Sequence, residues 1–489
     1  MKIQLKNIGI VKDSTISIEG LTVITGKNNS GKTTVGKTLY SILDAVSNLQ
    51  QKARFDRVSY IRNQIEKVSS TLEALRYLRP AFGDNLELFN SYPALQKFLS
   101  LDYRYDFPRD DAEQFAHRLA DDLRTFDVSW FEKNKELKEI KQYEHFLRFM
   151  SRTATKDGAS FESMFNKQRD QALSILEKLF DDLKGDPELI AYARESINQT
   201  LRLEFANQIQ PVAAAEGVIS KIELFDDDSG YFSFSIENNN VVNDDRPVFF
   251  STPFQKVYLI DDPFVLDDMY SHSAAHGFNY KDSGTILNPR RINSHEYKLS
   301  RALKEQNAPS VFEQTVLNNA LAEINEQFDK VIPGTFEFTS DGDYYVRGGA
   351  KLKLSNLATG SKMFSIMKML LDKGEIDDTT MLILDEPEAH LHPMWQNAFA
   401  EIIVLLVEKV GVNILLTTHS PNFMLALDAY MRKYDISDVT NFYQTEMLED
   451  NFVSYKCVND NMETIYQDFL QYLSEVKMLR NEYLEGIGE

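Results

Sequence analysis

A chain of 489 residues with a single cysteine, Cys457, has neither a disulfide framework nor a Cys-based zinc site. One thiol in so long a chain fits a reducing compartment. No apolar run approaches membrane-spanning length, and the opening MKIQLKNIGIV lacks the charged-then-apolar layout of a secretion signal. The expectation is a soluble, cytoplasmic protein with no membrane partner. Basic residues are the minority. With 53 Lys and Arg against 74 Asp and Glu, the formal net charge of -21 repels nucleic acid at long range and argues against a non-specific DNA coat. A local basic groove or a basic partner protein stays open. Sustained heptads are missing as well, so no long coiled coil can be traced. What is left is ordinary globular composition, 43% hydrophobic and 26% charged, with length for two or three domains.

The most informative stretch is TTMLILDEPEAHLH, residues 379–392. Met381 to Leu384 reads as a buried strand of a parallel sheet, because the run is apolar without alternation. It delivers Asp385 and Glu386 at its carboxyl end, the edge where open α/β sheets bind ligands. Adjacent acids followed by Pro387 fit a division of labour in which the first holds Mg²⁺ through oxygen and the second polarises a water. A strand that merely ends in an acidic loop gives the same letters, so the rest of the chain decides.

Near the amino terminus, KIQLKNIGIV and STISIEG alternate as short antiparallel strands do, and Leu21 to Thr25 forms a buried strand. That strand runs into GKNNSGKTT, which satisfies G-x-x-x-x-G-K-[ST] between a strand and the helical stretch Thr34 to Leu49. Glycines let backbone N–H groups close around phosphate oxygens and the helix N-terminus adds its dipole. Lys32 would reach the β and γ phosphates while the Thr33 hydroxyl ligates Mg²⁺. The candidate phosphate-binding residues are Gly26, Asn28, Asn29, Ser30, Gly31, Lys32, Thr33 and Thr34.

From about Asn48 to Ala206 the text turns rich in Leu, Glu, Lys, Arg, Gln and Phe, poor in glycine, and is broken by Pro80, Pro93, Pro108 and Pro187. It reads as several helices, with stretches such as YEHFLRFMSR and ALSILEKLFDDLK amphipathic and packed in a core. The division is 1–50 for the first part of a nucleotide-binding head, 51–206 for a helical insertion, and 207–489 for the second part.

Strands return at VISKIELF, YFSFSIEN and KVYLI, with DDDSG as a solvated hairpin tip. KVYLI ends in Asp261-Asp262-Pro263, a further acidic strand end, which makes Asp261 a candidate metal ligand. In the loop-like SHSAAHGFNYKDSG, His272 and His276 have metal spacing on a helix but no third ligand, and read as surface histidines. Residues 298 to 330 read as helix and 334 to 354 as a hairpin. Thr359-Gly360-Ser361 then forms a small polar turn opening an apolar helix from about Lys362. Met394 to Lys409 is helical, and GVNILLTT is a buried strand that places His419 at its carboxyl end, in reach of a γ-phosphate. The tail from Asp435 reads as a strand pair and a helix, with no length for an appended nuclease domain.

With GKNNSGKT, LATGSK, LILDEPEAHLHP and LLTTHSP in this order, the chain resembles the ABC-type ATPases of the RecF, SMC and OLD kind. More closely it looks like the stand-alone AAA family ATPases of bacterial antiphage defence, such as those of the Septu and PARIS systems. The resemblance implies an α/β fold: an ABC-type P-loop ATPase head with a mixed central sheet, an antiparallel β subdomain and a large helical insertion. It makes Lys32 and Thr33 the binders of ATP and Mg²⁺, Asp385 the Walker B metal ligand, Glu386 the general base and His419 the switch histidine. The turn Ala358 to Lys362 takes the place of the signature motif that completes a partner subunit's site across an ATP-sandwiched dimer. It departs from the usual S-G-E/Q in reading Thr359-Gly360-Ser361, which implies slow turnover. Asp261 falls at the Q-loop, an acid where the family has glutamine. The implied function is a homodimeric or larger ATPase switch that regulates a separate effector, a nuclease or toxin, in antiphage defence. The competing readings are a RecF-like or SMC-like clamp that binds DNA in repair or chromosome maintenance, and a degenerate ATPase that keeps nucleotide as a structural ligand.

Overall fold

Leu21–Thr25, Thr380–Asp385 and Asn413–Thr418 are short runs with almost no polar surface to offer water, and in the computed structural model each forms a strand buried along nearly its whole length. The structure describes residues 1–72, 91–101, 107–108, 110–126, 161–185, 189–211, 219–226, 230–242, 252–267, 294–304, 311–339, 342–463, 465–466, 474–475 and 477–480. His272, His276, the hairpin tip at 227–229, the stretch YEHFLRFMSR and most of the expected C-terminal helix lie outside them.

In chain order the strands are β1 (Lys2–Ile8), β2 (Val11–Ser17), β3 (Leu21–Thr25), β4 (Ser220–Asp226), β5 (Gly230–Glu237), β6 (Asn240–Val242), β7 (Lys256–Ile260), β8 (Thr335–Thr339), β9 (Gly342–Arg347), β10 (Ala350–Lys353), β11 (Thr380–Asp385), β12 (Asn413–Thr418), β13 (Thr440–Met447) and β14 (Val453–Cys457). The described helices are α1 (Lys32–Val46), α2 (Leu49–Thr71), α3 (Pro93–Ser100), α4 (Ala112–Thr125), α5 (Phe161–Asp182), α6 (Leu189–Glu204), α7 (His295–Lys304), α8 (Val311–Val331), α9 (Thr359–Asp372), α10 (Pro393–Leu405) and α11 (Pro421–Lys433).

Eleven strands share one mixed sheet in the order β6-β5-β4-β1-β2-β14-β13-β3-β12-β11-β7. At one end β1, β2, β4, β5 and β6 pair antiparallel. At the other, β13, β3, β12, β11 and β7 run parallel. This is the α/β class with an antiparallel β portion that the motifs imply. The expected hairpin at 334–354 is instead a separate three-stranded antiparallel sheet, β10-β9-β8.

Side chains on a strand alternate between faces, so a doubly covered strand feeds two cores. Leu382 and Leu384 of β11 join one core with Phe364, Phe399 and Phe423 of α9, α10 and α11. Met381 and Ile383 join the other, with Val35, Leu39 and Leu43 of α1. The parallel register aligns Ile260 with Leu384, Leu384 with Leu416 and Leu416 with Val23. One residue further on, Asp261, Asp385, Thr417 and Ile24 stand at a common carboxyl edge.

The chain separates into two compact units, one of residues 1–48, 190–277 and 287–489, the other of 49–189 and 278–286. The second unit has its own core, in which Leu176 and Leu179 of α5 pack with Phe98, Phe115 and Leu119, as the amphipathic reading of ALSILEKLFDDLK expects. Leaving by composition alone places the return at residue 207. The contacts place it at Ile190, because α6 buries Ile197 and Leu201 in the core beside α1.

Several boundaries differ from the pattern. The helix after the phosphate loop ends at Val46, and the helical pattern of 298–330 corresponds to α7 and α8. The helix expected from Lys362 begins at Thr359, with Ala358 as its N-cap. α10 closes in a π-helical turn, Leu406–Val410. Phe364 is fully buried and meets Phe328, Trp395 and Phe399 edge-on. Phe364→Ala is therefore expected to lower the unfolding free energy by about 3–5 kcal/mol, the cost of a large cavity. Urea unfolding followed by circular dichroism would show it, and a loss near zero would contradict this packing.

Candidate functional site

The loop between β3 and α1 has little freedom of composition. A Cβ on Gly26 would lie 1.8 Å from the Thr445 hydroxyl of β13, and Gly31 caps α1 with φ 75°, in the left-handed region that glycine occupies without strain. The loop wraps its own lysine. Lys32, only 4% exposed, donates from Nζ to the carbonyls of Gly26 at 3.0 Å and Lys27 at 2.9 Å. A buried ammonium needs a counter-charge, and Glu386 supplies it, with Oε1 3.3 Å from Nζ.

Glu386 is itself held from two sides. Its backbone adopts φ 48°, a costly conformation for a side-chain-bearing residue, and its N–H donates to the Thr417 carbonyl at 3.2 Å and the Thr417 hydroxyl at 3.0 Å. Its other oxygen, Oε2, lies 3.1 Å from His419 Nδ1, close enough for an ion pair though short of an aligned hydrogen bond. Lys32, Glu386 and His419, drawn from three separate chain segments, thus stand in one line.

Asp385 lies alongside. Thr33 donates to its Oδ2 at 2.6 Å, and Thr417 makes a short hydrogen bond to its Oδ1. Burial pushes the Asp385 carboxyl above its ordinary range against those two hydrogen bonds, and the charges of Glu386 and Asp261 add to the rise. A group in this state favours a nearby cation. Among the described residues no cluster of three or more His, Cys, Asp or Glu forms a ready-made metal cage. The Thr33 hydroxyl and Asp385 carboxylate are instead the sparse oxygen set that Mg²⁺ takes when phosphate and water complete its shell, so the residues present fit that ion.

The cleft over this edge holds about 820 Å³ and is lined by Asn28 through Thr34, Asp261, Asp385 and Glu386, and also by Thr359 and Gly360. It is large enough for a nucleoside triphosphate. Gly360 packs on the segment after β11, where a Cβ would come within 3.0 Å of the His390 carbonyl. Ser361 is not part of the cleft wall, and its carbonyl accepts from Ser365 at 2.8 Å. Lys362, read as the first residue of the helix, is a buried cation bonded to both oxygens of Asp267 at 2.6 and 2.7 Å.

Asp261 also faces the cleft, but its Oδ1 is committed to His295 Nε2 at 3.0 Å. His295 Nδ1 meets Glu204 Oε2 at 2.7 Å, so one imidazole bridges two carboxylates. Burial opposes charge on that ring, yet the hydrogen bonds to Asp261 and Glu204 prevail and push its pKa up to about 10. In return, despite burial, His295 and the Lys37 charge hold the Asp261 carboxyl below its usual range. Sequence reasoning missed His295, Glu204 and Thr417. The doubled threonine before His419 was a usable signal for Thr417. A lone histidine opening a helix was none.

Because His295 is held charged in the folded chain, its contribution is complete below its ordinary pKa of 6.5 and is lost as pH rises through about 10. Removing it leaves the buried Glu204 and the half-buried Asp261 without their cation. His295→Ala is expected to cost about 3–5 kcal/mol near pH 6. The gap from wild type in denaturant titrations should narrow toward pH 10, and a gap that widened over that range would contradict the bridge.

Comparison with known structures gives weak likenesses. The chain is similar to the SMC head domain from Thermotoga maritima at 12% identity, over 94% of this chain and 98% of that one, with a TM-score of 0.33. It is similar to the SmcHead bound to the C-winged helix domain of ScpA at 9% identity, over 95% and 98%, with a TM-score of 0.36. An Smc head domain with an extended coiled coil, bound to the C-terminal domain of ScpA from Pyrococcus furiosus, gives 9% identity over 97% and 98%, with a TM-score of 0.31. Likeness at this level carries no functional weight, and no curated protein matches at a significant level. A family model does: the AAA ATPase domain, AAA_15, matches residues 1–424, which include the phosphate loop, Asp385, Glu386 and His419, and the chain belongs to that family.

Proposed function

We propose that the protein is a Mg²⁺-dependent ATP hydrolase working as a switch, in which nucleotide bound at the loop of one subunit is closed over by the Thr359–Ser361 turn of a second. The observation that carries this reading is the line Lys32–Glu386–His419, with separations of 3.3 and 3.1 Å. Lys32 Nζ lies 3.3 Å from Glu386 Oε1. A γ-phosphate competes for Lys32, and Glu386 Oε1 is then free to accept a proton from an attacking water. His419 Nδ1 stands 3.1 Å from Oε2 and is 40% exposed. Thr33 and Asp385 would hold Mg²⁺, which supplies neutralising charge to the phosphates when bound.

The motif order shared with ATP-sandwiched ABC-type ATPases is what supports a second subunit; within one chain the turn lines the cleft of its own phosphate loop. Thr359 and Gly360 present a helix N-terminus at the rim of an open cleft, a surface suited to an anion. Binding that buries nucleotide between two copies gives the open and closed states different affinities, the requirement for any ligand-driven switch. The motif order shared with stand-alone antiphage ATPases supports placing this switch upstream of a separate effector, nuclease or toxin.

Lys32→Ala is expected to weaken ATP binding about tenfold to a hundredfold, through loss of a charged contact to phosphate; fluorescence titration with a labelled ATP measures it, and unchanged affinity would sink the assignment. Glu386→Gln should bind ATP normally and slow turnover by about 10²- to 10⁴-fold. With ATP and Mg²⁺ it should sediment as a dimer or larger species, and a monomer under those conditions would count against the closed state.

A further inference from the structure

Glu388 is the second acid after β11, and the chemistry above does not use it. It is 1% exposed, yet it lies on the cleft-edge segment between Glu386 and His392. A carboxyl so deeply buried is costly unless it is hydrogen-bonded. Its Oε1 receives two donors from the end of β12: a short hydrogen bond from the Thr418 hydroxyl, and the His419 N–H at 3.3 Å. The Thr418 hydroxyl in turn accepts from the Ser420 N–H at 3.0 Å. One carboxyl oxygen therefore gathers the backbone on both sides of His419. Its second oxygen has no hydrogen-bond partner among the described residues.

A second strut joins the same two segments. Gln396 Nε2 donates to the Leu391 carbonyl at 3.2 Å, while its Oε1 accepts from the Ser420 hydroxyl at 3.0 Å and from Asn422 at 3.2 Å. The segment 388–391 that these struts hold is also the one on which Gly360 rests. The turn, the buried acid and the histidine form one connected chain of contacts.

We propose that Glu388 is a positioning residue for the ATPase reaction: its side chain fixes the backbone of residues 418–420 so that His419 Nδ1 meets Glu386. This rests on the ATP hydrolase reading above. The role calls for a hydrogen-bond acceptor, not a negative charge. In keeping with that, burial raises the Glu388 pKa against the hydrogen bond from Thr418, favouring the neutral form. Glutamine, which keeps an acceptor oxygen in the same place, should therefore serve almost as well.

The test is steady-state ATP turnover with Mg²⁺ on the full chain for wild type, Glu388→Gln, Glu388→Ala and Thr418→Val. Glu388→Ala should lower kcat about tenfold to a hundredfold, the effect of a catalytic group misplaced by about an ångström. KM for ATP should stay within about twofold, because no loop contact changes, and Glu388→Gln should keep kcat within about threefold of wild type. Thr418→Val, which keeps the shape and loses the hydroxyl, should fall between them. An unchanged kcat in Glu388→Ala, or a Glu388→Gln as slow as Glu388→Ala, would overturn the proposal. If Glu388→Ala does not fold, Thr418→Val decides: wild-type kcat there overturns it, and a reduced kcat with unchanged KM supports it. Absence of turnover in wild type would refute the hydrolase reading and this inference with it, whereas an active wild type with an unaffected Glu388→Ala refutes this inference alone.

Discussion

The parallel ladder of β3, β12, β11 and β7 is the constraint on which the rest depends. A parallel sheet must be covered on both faces, which leaves its carboxyl edge as the place where polar groups on these strands can meet solvent and ligand. The register then does the assembling. Once Leu384 stands beside Leu416 and Ile260, the next residues of three distant segments have no choice of neighbours. Asp385 meets Thr417, Asp261 comes to the same rim, and the loop after Thr25 closes over them. Two hydrophobic cores, fed alternately by the same strands, hold that register.

Charge at this edge is balanced locally rather than by solvent. Lys32 is compensated by Glu386, Glu386 by Lys32 and His419, and Asp385 by two threonine hydroxyls. Asp261 is compensated by a histidine that a second acid holds charged. Under the proposed ATPase reading, a polyanion would compete with Glu386 for Lys32, and a dication would be shared by Thr33 and Asp385. The Asp261–His295–Glu204 bridge has no such alternative and acts as scaffold. This separation between exchangeable and fixed pairs explains why neighbouring carboxylates can take different roles.

The loop GKNNSGKT and the strand ending in Asp385-Glu386 were legible because each motif is local: strand, turn and helix are contiguous, and the residue types follow from phosphate and metal chemistry. The central strands were legible from uninterrupted apolar runs, and the insertion from its change of composition. Helix ends were less so. The start at Thr359 rather than near Lys362 reflects close packing of Gly360 on the His390 carbonyl, a contact that no periodicity announces. Lys362 read only as the start of a helix, and the structure shows it as a buried cation on Asp267, a pairing that nothing local announces.

By itself, then, the sequence determined the class of fold and the motifs from which the candidate site is drawn, since each is written in a contiguous run. Only the tertiary structure decided which of them touch. That His419 faces Glu386, that Thr417 rather than a further acid supports Asp385, and that His295 binds Asp261 to Glu204 all follow from strand register and helix packing. These pairings join residues from 32 to 91 positions apart, and their energetics come from burial, a property that no single segment possesses before the sheet has formed.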